Sequence, residues 1–295
     1  MPEIRIAASA GFCFGVGRIV NAVKKLSDKH GGGIYTIGPV IHNKAVVAEL
    51  EELGIRSVAD VSELKTIPRD KIKAVVIRSH GVPPHLTREL CECGYNLYDY
   101  TCPDVAKVQK SAANAGKNGY GLIIAGDKNH PEIIGIRGFY EEHGRQAIIV
   151  ANEREASDSI FPDTVKYDFI AQTTFDAEEY GHIEYILNHK HINFTTHQTL
   201  CRGTTTRYTE AKKLAKTCDI MLVLGDKNSS NTRKLFEICE RENKNTFFIE
   251  NLYKIDKKLL KFLKESDMII GVTAGASTPP AMMQKIREQI LELRV

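Results

Sequence analysis

Short apolar runs alternate with longer amphipathic stretches along the whole chain, and the alternation repeats three times with a cysteine at the same place in each repeat. Cys13, Cys102 and Cys201 follow the β-like runs Ile4 to Ala8, Asn96 to Tyr100 and Phe194 to Thr199. Each precedes a helix-like stretch: Val16 to His30, Pro103 to Lys117 and Thr205 to Thr217, with Pro103 in the favoured first-turn position. An apolar strand ending in Gly38, Gly126 or Gly225 comes next, and four residues later stands a polar side chain, His42, His130 or Ser229. A further helix and strand follow, and a last strand closes each repeat with His80, Thr173 or Ser277 at or just past its end. This order predicts an α/β fold of three pseudo-threefold-related lobes. Each lobe would hold a small parallel sheet with right-handed crossovers, and ligands gather beyond the carboxyl ends of such strands. Three lobes about one axis would bring the cysteines and the polar residues to one point.

Composition narrows the class without naming a function. The chain has 295 residues, 42% of them hydrophobic, enough for one large domain or three small ones. No apolar run is long enough for a membrane span, and the start lacks the basic-then-apolar layout of a secretory signal. A cytoplasmic location without membrane contact is expected. The net charge of +3 is mild, and no basic stripe with interleaved aromatics suggests nucleic acid. Seven cysteines, an odd number without a secretory signal, fit free thiols or a cofactor rather than a disulfide framework. Cys91, Cys93, Cys218 and Cys239 read as packing residues.

The chemistry lies in the residues that recur. A helix start favours the thiolate, which is the form that binds metal. Three convergent thiolates suit zinc with a histidine as fourth ligand, or a 4Fe-4S cluster with one iron not ligated by cysteine and free to act as a Lewis acid. The wide spacing favours the cluster. His42, His80 and His130 follow apolar strands, and Asn228, Ser229, Ser230 and Asn231 open a helix, where free amides and small hydroxyl side chains make an anion site. Glu132 shares a strand-end loop with His130 and could deliver protons if its pKa were raised, with the Thr173 hydroxyl as a relay. No Walker lysine or dinucleotide spacing is present, so neither ATP nor NAD is expected. A zinc hydrolase of a phosphorylated small molecule and an iron-sulfur sensor both use parts of this set.

Eight motifs carry a family resemblance: Gly11-Phe12-Cys13, Val40-Ile41-His42-Asn43, Ser79-His80-Gly81-Val82, Thr101-Cys102-Pro103, His130-Pro131-Glu132, Gln172-Thr173-Thr174, Lys227-Asn228-Ser229-Ser230-Asn231 and Val272-Thr273-Ala274-Gly275-Ala276-Ser277. Together, and in this order, they resemble the 4-hydroxy-3-methylbut-2-enyl diphosphate reductase family, which closes the non-mevalonate isoprenoid pathway. The resemblance implies a trefoil of three α/β lobes around a central iron-sulfur cluster. The lobes would span 14–101, 102–199 and 200–285, with strand 1–13 completing the third and 286–295 ending a C-terminal helix. It implies Cys13, Cys102 and Cys201 as cluster ligands. His42, His80, His130, Thr173, Ser229, Ser230, Asn231 and Ser277 would bind the substrate, with Glu132, Thr173 and His130 in catalysis. The implied partners are a small-molecule diphosphate and an electron-donor protein such as ferredoxin or flavodoxin. The chain departs from the family pattern at Phe14 and from Arg202 to Tyr208.

Overall fold

The computed structural model describes residues 3–162, 165–250, 259–260, 263 and 268–292. The first stretch carries β1 (Glu3–Ile6), α1 (Phe14–His30), β2 (Ile34–Ile37), α2 (Lys44–Glu52), β3 (Ile55–Val58), α3 (Val61–Lys65), β4 (Ala74–Ile77), α4 (Pro84–Glu92) and β5 (Leu97–Asp99). The middle adds α5 (Pro103–Lys117), β6 (Gly121–Ala125), α6 (Pro131–Glu141), β7 (Ile148–Val150), α7 (Glu153–Asp158), β8 (Tyr167–Ala171), α8 (Ala177–His189) and β9 (Phe194–Thr196). The last stretch holds α9 (Arg202–Ala215), β10 (Ile220–Leu224), α10 (Ser230–Glu242), β11 (Thr246–Ile249), β12 (Ile269–Ala274) and α11 (Pro280–Glu292).

These strands form three parallel four-stranded sheets, ordered β3-β2-β4-β5, β7-β6-β8-β9 and β11-β10-β12-β1. Inner strands are continuous apolar runs such as AVVI in β4 and IMLVL in β10, buried at every position, as strands covered on both faces require. The edge strand β3, IRSV, is buried only at its two ends. The N-terminal strand β1 pairs with β12, so the last sheet is completed by the start of the chain.

The common strand order explains the sequence repeat. In each sheet the chain passes from an inner strand (β2, β6, β10) to the neighbouring edge, then crosses to the other inner strand (β4, β8, β12). The two inner strands thus flank a switch point, where crossovers leave in opposite directions and open a crevice beyond the carboxyl ends. His42, His130 and Ser229 follow the first inner strands, and His80, Thr173 and Ser277 follow the second. The cysteines follow the remaining outer strands, β1, β5 and β9.

The chain divides into two compact units, Met1–Arg18 with Ile41–Glu52 and Arg202–Val295, and Ile19–Val40 with Leu53–Cys201. In the first, alternate residues of β10 serve two cores. Ile220, Leu222 and Leu224 pack with Met283, Ile286 and Ile290 of α11, while Met221 and Val223 pack with Tyr208 of α9 and Leu235 of α10. In the second unit β6 is used likewise: Ile123 and Ala125 face Ile183 and Leu187 of α8, and Leu122 and Ile124 face Ala112 of α5 and Ile136 of α6.

Several boundaries differ from the pattern-based expectation. The strands before the cysteines are shorter, ending at Ile6, Asp99 and Thr196. Helix α1 starts at Phe14 rather than Val16, because the Val16 amide donates to Cys13 Sγ at 3.4 Å and so caps the first turn. Helix α9 starts at Arg202 rather than Thr205, directly after Cys201.

Candidate functional site

In the second unit an unbroken thread of contacts runs from Cys102 to Cys201. Cys102 is the N-cap of α5, and its amide donates to Ser79 O at 3.0 Å. The next residue, His80, meets His130 edge-to-face, with ring centroids 5.3 Å apart. His130 caps α6, and its Nδ1 accepts the Glu132 amide at 3.2 Å. An accepting Nδ1 leaves Nε2 to carry the ring hydrogen, so His130 presents a donor. Glu132 in turn accepts two bonds from Thr173, from the amide at 2.6 Å and from Oγ1 at 3.0 Å. Finally Thr173 O accepts the Cys201 amide at 2.8 Å.

Glu132 is the electrostatic centre of this thread. It is 2% exposed, and burial pushes its pKa up from 4.5 to about 7 against the two Thr173 bonds, which favour the charged form. A carboxyl poised near neutrality can hold or release a proton at the working pH. Thr173, also buried, has a hydroxyl that can both donate and accept, so it can exchange a proton with Glu132.

The first unit carries a second thread. The Cys13 amide donates to Ala276 O at 3.4 Å, and the Ala276 amide donates to Asn231 Oδ1 at 3.1 Å. Asn231 Nδ2 donates to the Tyr208 hydroxyl at 3.1 Å. Ser229 caps α10 by accepting the Thr232 amide, and Ser230 opens that helix half-buried. Ser277 follows Ala276, and its Oγ is buried without a hydrogen-bond partner among the described residues. Asp226, just before the capping turn, accepts the Lys44 amide, which ties the segment after His42 to α10. His42 itself is half-buried.

The three recurring cysteines form no disulfide among the described residues and are half-buried. Each stands immediately before a helix, α1, α5 or α9. That donor set suits iron-sulfur ligation, which needs thiolates reachable from outside the core. Among the described residues no three His, Cys, Asp or Glu side chains are gathered closely enough to hold a metal ion. Cys218 and Cys239 are buried, with thiol pKa values raised by burial, that of Cys239 to about 12, as structural thiols should be.

Sequence reasoning missed the residues that hold these threads in place. Arg207 donates to Ser9 O and Gly11 O, and Glu210 accepts the Ala8 and Ser9 amides, so one face of α9 clamps the loop before Cys13. Gln109, on the helix that starts after Cys102, is buried beside Gly81 and Gly135. No periodicity marks such residues. Arg207 and Tyr208 stood out only as part of a departure from a family pattern.

The model of the LytB protein family matches residues 4–291. The chain belongs to the LytB family. Among LytB relatives, the 4-hydroxy-3-methylbut-2-enyl diphosphate reductase of Clostridioides difficile is 39% identical over 96% of this chain and 97% of its own length. That of Caldanaerobacter subterraneus subsp. tengcongensis is 40% identical over 99% and 98%. The solved E-1-hydroxy-2-methyl-but-2-enyl-4-diphosphate reductase of Plasmodium falciparum superposes with a TM-score of 0.88 at 27% identity, covering 98% of this chain and 87% of that one. A second solved structure, that of (E)-4-hydroxy-3-methyl-but-2-enyl diphosphate reductase, the terminal enzyme of the non-mevalonate pathway, gives a TM-score of 0.68 at 32% identity, covering 99% of this chain and 100% of that one. The sheet architecture expected from the repeat is therefore that of the family. No described helix is long and apolar enough to cross a membrane.

Proposed function

We propose that this chain reductively dehydroxylates 4-hydroxy-3-methylbut-2-enyl diphosphate to isopentenyl and dimethylallyl diphosphate. Family membership at 39–40% identity to reductases bearing that name supports the substrate. The single structural observation that carries the chemistry is the buried Glu132 with its pKa near 7, bonded twice to Thr173. The reaction takes an allylic alcohol, two electrons and two protons to an alkene and water, so it needs a proton source beside the leaving oxygen and an electron source.

Cys13, Cys102 and Cys201 hold a 4Fe-4S cluster in this reading. When bound, it supplies single electrons and, at the iron without a cysteine, a Lewis acid. The electrons come from a donor protein such as a ferredoxin or flavodoxin. The polypeptide does the rest. His42, His80, His130, Thr173, Ser229, Ser230, Asn231 and Ser277 bind the substrate, and the Nε2 donor of His130 and the buried Ser277 hydroxyl suit phosphate oxygens. Protonated Glu132 passes its proton through the Thr173 hydroxyl to the departing oxygen. The second proton enters at either end of the allyl unit, which yields the two products.

Anaerobically purified protein, given the substrate and a chemical reductant, should form both C5 diphosphates and release no phosphate. Phosphate release without reduction of the carbon chain would identify a hydrolase and overturn this reading.

A further inference from the structure

The binding residues assigned above are histidines, serines, a threonine and an asparagine, and none carries a fixed positive charge. A diphosphate carries several negative charges. Arg78 lies where that imbalance could be met. It is the first residue after β4, and it is 9% exposed. Its Nη1 donates to Pro39 O at 3.1 Å. A Cβ placed on Gly38 would lie 2.9 Å from the guanidinium carbon, and Gly38 has a φ of +72°. The guanidinium is therefore packed over the turn that ends β2, between the carboxyl ends of the two inner strands of its sheet. That is the switch point where anions are bound in such sheets.

Two comparisons set Arg78 apart. Among the described residues no carboxylate pairs with it, whereas a buried cation is ordinarily matched by an acid because burying an unpaired charge is costly. Burial alone lowers its pKa to about 10, which still leaves it charged at neutral pH. The equivalent positions after β8 and β12 are Gln172 and Gly275. Gln172 is neutral, and its amide is used locally, accepting from the Asp127 amide at 3.3 Å and donating to Thr174 Oγ1 at 3.0 Å. The charge is thus not a requirement of the turn.

We propose that Arg78 supplies the fixed positive charge of the anion site, acting on the diphosphate of the substrate from the switch point two residues before His80. This rests on the reading of His80 as a diphosphate ligand. The test is calorimetric titration of inorganic pyrophosphate into the anaerobically prepared holoprotein at two ionic strengths. Arg78→Met keeps the apolar stem and removes the charge; it should weaken binding about tenfold or more and flatten its salt dependence. Arg78→Lys keeps the charge and should stay within about threefold of wild type. Wild-type affinity in Arg78→Met, with His80→Ala weakened, would overturn the role of Arg78 alone. Equal losses in the Met and Lys variants together with a lowered melting temperature would show a structural role and overturn it too. Unchanged binding in His80→Ala would remove the diphosphate reading beneath it.

Discussion

Glu132 concentrates the account in one carboxyl. Its pKa is raised from 4.5 to about 7, so its neutral form is the one the fold favours. The contribution to stability is fully present below the ordinary carboxyl value and is lost as pH rises through about 7, to the extent of about 3 kcal/mol. Wild-type melting temperature should therefore fall from mildly acid to mildly alkaline pH, while Glu132→Gln, which cannot ionise, should hold steady over that window; parallel curves would show that the carboxyl is not perturbed. The same variant should lose about a hundredfold in kcat with little change in substrate binding. Near-wild-type turnover with reductant in excess would remove Glu132 from proton delivery. Thr173→Val deletes a hydrogen bond that favours the charged form, so the alkaline limb of the kcat profile should move to higher pH as kcat itself falls. A limb that stays in place would separate Thr173 from the titration.

Elements, more than single residues, decided what could be read from the chain. Pro103 to Lys117 was legible as a helix to the residue, because a first-turn proline and an amphipathic stretch agree. The first inner strand of each sheet was legible as an apolar run ending in Gly38, Gly126 or Gly225, and so were the polar residues that follow the inner strands. The start of α1 at Phe14 was not, since Gly15 and Gly17 weaken the helical pattern there and a thiol cap leaves no periodicity. The first turn of α9, Arg202 to Thr204, was missed as well, because Gly203 and the β-branched Thr204 disfavour helix until tertiary contacts, such as those of Arg207 with Ser9 and Gly11, override them. Arg78 was invisible as a site residue, because an arginine beside a strand reads as surface charge until its burial is known. One element-level prediction concerns the turn after β4. Gly81 has a φ of +69°, and a Cβ there would lie 2.3 Å from Gln109 Nε2. Gly81→Ala should cost about 1–3 kcal/mol of stability and weaken pyrophosphate binding by displacing His80. A calorimetric trace and melting temperature like those of wild type would mean that the turn tolerates the change.

For the whole molecule, three copies of one α/β arrangement place a cysteine after an outer strand and a polar side chain after each inner strand. The repeat gives the proposed assignment its economy, since a single topological rule accounts for the three thiols and most of the binding residues. It also separates Cys13, Cys102 and Cys201 from the other thiols. Cys91 and Cys93 lie in and at the end of α4, and Cys218 and Cys239 are buried in a core. The measurement that tests the central claim most directly is iron and sulfide content per chain in anaerobically purified single Cys→Ser variants. Wild type and Cys91→Ser should each carry about four irons, whereas Cys13→Ser, Cys102→Ser and Cys201→Ser should each lose most of their iron, because a hydroxyl replaces thiolate poorly. Full iron content in any one of those three variants would contradict the shared ligand set on which the proposed reduction depends.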